Sequence, residues 1–63
     1  MKIEMQKFLE NRKYEIDESG NSVKVFVGNY AGLLKSRRES GELGLVEIGC
    51  NCFQNEFEVV FAL

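Results

Sequence analysis

Apolar positions in this chain follow two different periods in alternation, and the switches between them outline the fold. Met1, Met5, Phe8 and Leu9 stand at i, i+4, i+7 and i+8, the stripe of an amphipathic helix, while Lys2, Glu4, Gln6, Lys7 and Glu10 are left for water. Arg12 and Lys13 follow, where a positive charge suits unpaired helix carbonyls, so the helix is expected to end near Asn11 or Arg12. The period then drops to two. Tyr14-Glu-Ile-Asp17 alternates apolar with acidic, Glu18-Ser-Gly-Asn21 has turn chemistry, and Val23-Lys-Val-Phe-Val27 alternates again, which reads as a hairpin. Its three valines share one side, so Phe26 points the other way with Lys24.

A second helix is expected from Tyr30 to Glu39, with Asn29 as N-cap and Gly41 as its stop. Tyr30, Leu33, Leu34 and Arg37 would form its narrow inner face, and Gly32 weakens it. The rest of the chain holds two apolar runs, Leu43 to Gly49 and Phe57 to Leu63. They are separated by Gly49, Asn51, Gln54 and Asn55, which places a second hairpin with its break around Cys50-Asn-Cys52, near the middle of the sheet. In the last run Phe57, Val59, Phe61 and Leu63 take one side; Glu56, Glu58, Val60 and Ala62 take the other. The expected fold is therefore α+β, a single domain over residues 1–63 in the order α-ββ-α-ββ. It has a four-stranded, mostly antiparallel sheet and two short helices, most simply both on one face.

Length sharpens this picture. A chain of 63 residues buries roughly 60% of the surface it exposes when unfolded, so its stability is expected to be marginal. Such domains often supplement their core with disulfides, metal or a second subunit. With two cysteines and no histidine, a second subunit is the expected supplement. The sequence carries no apolar run of about 18 residues and no secretory leader, so a cytoplasmic address is expected, and the initial methionine reads as the start of a complete small reading frame.

Charge is segregated along the chain. The first 38 residues hold all eight bases and five acids, and the remainder holds five acids and no base. Folding interleaves the segments, so this asymmetry need not persist in space. Lys35, Arg37 and Arg38 form the one basic concentration, a candidate phosphate-contacting group, although Arg37 points toward the apolar side and Glu39 and Glu42 stand close by. Gly41-Glu-Leu-Gly44 has GxxG spacing, but its central residues are acidic and apolar and it leads from helix to strand. Phe8 to Lys13 and Leu33 to Arg38 share a pattern of two apolar, two polar and two basic positions, which helix ends produce readily without duplication.

Candidate chemistry is sparse. Cys50 and Cys52 would supply half of a tetrahedral metal site and no third ligand is evident, so two partly exposed thiols at a turn are expected, with no metal and no cofactor. Glu56 and Glu58 share a strand face and read as solubility and edge-protection residues rather than an acid–base pair. Without histidine or a phosphate cradle an enzyme is not expected. Phe26, Val60 and Ala62, on the side of the sheet away from the helices, form the candidate protein-contact site. The expected function is a non-catalytic protein-interaction module, a homodimeric inhibitor or regulator of a larger protein. The alternative is a nucleic-acid-binding regulator using Lys35, Arg37 and Arg38.

Overall fold

A computed structural model describes residues 1–63 and gives the order α1 (Ile3–Leu9), β1 (Lys13–Ile16), β2 (Ser22–Val27), α2 (Tyr30–Glu42), β3 (Glu47–Phe53), β4 (Glu56–Ala62). The α+β order expected from the periodicity is the one observed. The four strands form one sheet in the order β1-β2-β4-β3, with every neighbouring pair antiparallel. After β2 the chain crosses by α2 to the far edge, lays down β3, and turns back so that β4 fills the gap beside β2. Of the C-terminal pair, then, β4 is central as expected, whereas β3 is an edge.

Both helices pack on one face. Met5, Phe8 and Leu9 of α1 and Leu33 of α2 bury against Val23 and Val25 of β2 and Val59 and Phe61 of β4, and these eight side chains form one cluster. Phe8 meets Phe61 edge to face, ring centroids 5.2 Å apart, a favourable arrangement for two aromatic quadrupoles. The alternation of β2 and β4 accounts for this: Val23 pairs with Phe61, Val25 with Val59 and Val27 with Phe57, all on the helix side.

Three boundaries differ from the sequence reading. Helix α1 stops at Leu9 because Asn11 takes a left-handed conformation (φ 63°) that reverses the chain into β1, and the Arg12 N–H donates back to the Leu9 carbonyl. Helix α2 runs through Gly41 to Glu42, and Gly44 (φ 73°) ends it. The Gly44 N–H bonds the Gly41 carbonyl at 3.2 Å and the Leu45 N–H bonds the Ser40 carbonyl at 2.9 Å, the paired bonds of a Schellman end, so the GxxG spacing is a helix terminus. The second hairpin turns at Gln54-Asn55, both at positive φ (45° and 72°) as a two-residue type I′ turn requires. Gly49 to Cys52, read as the break, lie within β3, whose irregularity is a bulge between Glu47 and Gly49.

The inner face of α2 also differs. Leu33, Ser36 and Ser40 are buried, whereas Tyr30, Leu34 and Arg37 are exposed. Small side chains let this helix lie close to the sheet. A Cβ built on Gly32 would stand 2.9 Å from a Val27 methyl carbon, so the glycine that weakens the helix intrinsically is what permits its approach. Asn29 caps it as expected, its side-chain oxygen accepting from the Gly32 N–H at 2.6 Å.

Candidate contact surface

With both helices on one side, the other side of the sheet is open. Register arranges its side chains in rows. Lys13, Phe26, Glu58 and Asn51 form one row from β1 to β3; Glu15, Lys24, Val60 and Gly49 form the next; Ser22 and Ala62 pair beyond it. On the opposite side of the Phe26 row, Glu56 pairs with Phe53 beside the hairpin turn. Phe26 and Phe53 are 39% and 57% exposed, and Val60 and Ala62 are half-buried. The structure thus brings Phe26, Val60 and Ala62 together on one uncovered face. Phe53 joins them there, a residue the sequence reading overlooked because the turn was drawn too early. Gly49 stands opposite Val60 and contributes no side chain.

Strand β4 is central, so Glu56 and Glu58 protect no edge, and that part of their reading is corrected. Neither forms an ion pair. The two ion pairs of the molecule are Arg12–Glu39 and Arg37–Glu47, each joining the basic first part of the chain to the acidic remainder, so the segregation is partly cancelled in space. A cleft of about 380 Å³ opens at the hairpin end, lined by Lys13, Phe26, Phe53, Phe57, Glu56 and Glu58.

The basic group is divided. Arg37 forms a two-pronged bond with Glu47, Nε to Oε1 at 3.2 Å and Nη2 to Oε2 at 3.0 Å, and this pairing raises its already high pKa. Lys35 and Arg38 are exposed and make no ion pair. Arg12 lies over the Phe8 ring, 4.2 Å from its centroid, and bonds Glu39, whose carboxyl is held below its usual range chiefly by that hydrogen bond. Asp17 is likewise held low, first by the Ser19 hydroxyl and then by the Ser19 N–H, which bind its carboxylate within the first hairpin turn.

Cys50 and Cys52 are free, exposed and two apart on β3, so they share the helix side of an edge strand instead of sitting at the turn. No group of three potential metal ligands is brought together anywhere in the chain. No helix is long and apolar enough to cross a membrane. No protein-family model matches the chain, and no curated protein or solved structure matches it either.

Proposed function

We propose that the chain is a non-catalytic protein-interaction module that pairs with a second copy through the open face of its sheet, and that the pair acts in the cytoplasm as an inhibitor or regulator of a larger protein. One observation carries the reading: Phe26, Phe53, Val60 and Ala62 stand on the one sheet face that neither helix covers. Aromatic and branched side chains gathered on an uncovered sheet face are a contact surface in the making, because covering them removes apolar area from water.

A second copy is favoured as the cover by charge. Lys24 stands one row to one side of Phe26 and Glu56 one row to the other, so a two-fold axis lying across the strands at the Phe26 row sets the base of each copy over the acid of the other. Size sets the strength. Four strands about 4.8 Å apart and six residues long at about 3.3 Å each span a footprint of roughly 400 Å². Two such footprints bury roughly 800 Å² together, below the usual range of stable interfaces, so pairing is expected to be weak and to need a high concentration. Tyr30 and Leu34, exposed on α2, remain free for the regulated target. The nucleic-acid alternative has less to stand on, because Arg37 is already engaged by Glu47 and only Lys35 and Arg38 are left of the basic group.

Sedimentation over a concentration series tests the pairing. The parent chain should move from 7.2 kDa toward twice that mass, and Phe26→Ser should remain at 7.2 kDa with an unchanged circular dichroism spectrum. A parent chain that stays single at millimolar concentration, or a Phe26→Ser variant that pairs as the parent does, would overturn it.

A further inference from the structure

The cleft at the hairpin end gathers Glu56 and Glu58 with phenyl rings, and Lys13 is also among the residues that line it. Two cross-strand pairs build it, Phe26 with Glu58 and Phe53 with Glu56, so two phenyl rings flank two carboxylates that no base of the chain engages. The same molecule shows what such parts hold. At the end of α1 the Arg12 guanidinium lies over the Phe8 ring and bonds the Glu39 carboxylate, a phenyl and a carboxylate sharing one cation. The hairpin-end cleft repeats that pairing twice. At about 380 Å³ it has room for a long basic side chain.

The open face itself supplies a candidate. Its bases are Lys13 and Lys24, and Lys13 lines its own cleft from β1 without reaching either carboxylate within ion-pair distance. Lys24 lies one row from Phe26, and Glu56 lies one row beyond Phe26 on the opposite side. The Lys24 position and the glutamate pair thus stand on either side of the middle of the face. A two-fold axis crossing the face near Phe26 exchanges them, and it sets Phe26 of one copy against Phe26 of the other.

We propose that in the face-to-face pair each copy places Lys24 in the other's hairpin-end cleft, its ammonium against Glu56 and Glu58 and its stem between Phe26 and Phe53. This rests on the pairing proposed above and adds its partner chemistry: the cleft is complete only when a second copy is present. Two identical contacts per pair follow from the symmetry.

Charge exchange between two variants tests it. Lys24→Glu and Glu58→Lys, each alone, should weaken pairing at least about tenfold, because like charges then meet in both contacts. Mixed one to one, they should form a heterodimer within about threefold of the parent affinity, since both contacts of the mixed pair again join opposite charges. Repair of that kind requires contact between chains. Lys24→Arg should tighten pairing several-fold, because a guanidinium stacks on phenyl and grips carboxylate better than an ammonium does. Phe53→Ala should weaken it by about fivefold through loss of the ring beside the cation. The cleft proposal fails if the parent chain pairs and the two charge variants pair equally well, if their mixture shows no recovery, or if Lys13→Glu disrupts pairing while Lys24→Glu does not. Those results leave the open-face reading intact. A parent chain that does not pair, or one whose pairing survives Val60→Lys, removes the underlying reading as well.

Discussion

The two faces of the sheet are made by alternate residues of the same strands, and they have opposite fates. On the helix side of β2 and β4, Val23, Val25, Val59 and Phe61 have no accessible surface at all. On the other side their neighbours in sequence, Lys24, Phe26, Glu58 and Val60, range from half-buried to exposed. The difference is one of supply. The chain has two helices, of 7 and 13 residues, and spends both on one side. An open face of an antiparallel sheet is ordinarily polar, so Phe26, Phe53 and Val60 among its charges are what distinguish this one.

The sharpest way to break the comparison is to make similar truncations on each side. Phe61→Ala should cost about 3–5 kcal/mol by opening a cavity against Phe8. At roughly 0.05–0.15 kcal/mol per residue the whole domain holds only about 3–9 kcal/mol, so this variant should be largely unfolded by circular dichroism. Phe26→Ser should change the stability of the isolated chain by less than about 1 kcal/mol in urea titrations, because its side chain leaves no void in the core. Equal losses from the two would mean that the open face is core after all.

Glycines of α2 extend the comparison to the helix that makes the cover. Gly32→Ala should destabilise by about 1–3 kcal/mol, since its methyl would strike Val27 and lift the helix from the covered face. Gly41 has nothing within 4 Å of a Cβ, and Gly41→Ala should stabilise by about 0.5–1 kcal/mol. Thermal melts of the two variants should therefore move in opposite directions.

The smallest effect concerns the clip between the end of α1 and α2. Glu39 has its folded pKa lowered, chiefly by the hydrogen bond from Arg12. A lowered carboxyl stabilises the fold above its unfolded pKa, and the contribution disappears as pH falls through the folded value. Glu39→Gln should accordingly lower the melting temperature slightly at neutral pH and lose less than the parent does on acidification. Parallel melting curves from neutral to strongly acidic pH would show that this pair contributes nothing.

The order of the six elements was legible because each announces its own period: the helical stripe of Met5, Phe8 and Leu9, and the alternation of Val23 to Val27 and of Phe57 to Ala62. The outward phase of Phe26, Val60 and Ala62 followed from the same alternation. What hydropathy does not encode is closeness. Ser36, Ser40 and Gly32 lie at the inner face of α2 because small groups permit approach, so a search for apolar residues selected Leu34 and Tyr30, which are exposed. The hairpin break was misplaced because Gly49 and Asn51 resemble turn residues, whereas Gln54 and Asn55 are the ones whose backbone turns left-handed. That misplacement hid Phe53, and with it the aromatic half of the cleft. Pairings such as Arg37 with Glu47 depend on the spatial approach of helix and strand, which no local pattern records.

The most direct test of the open face as a contact surface is an isotope-filtered NOE experiment on an equal mixture of labelled and unlabelled chains. Cross-peaks should link the methyls of Val60 on labelled chains to aromatic protons of Phe26 or Phe53 on unlabelled ones. Pairing that gives no such peaks, or that gives them only from methyls elsewhere such as those of Leu34, would contradict the assignment of this face.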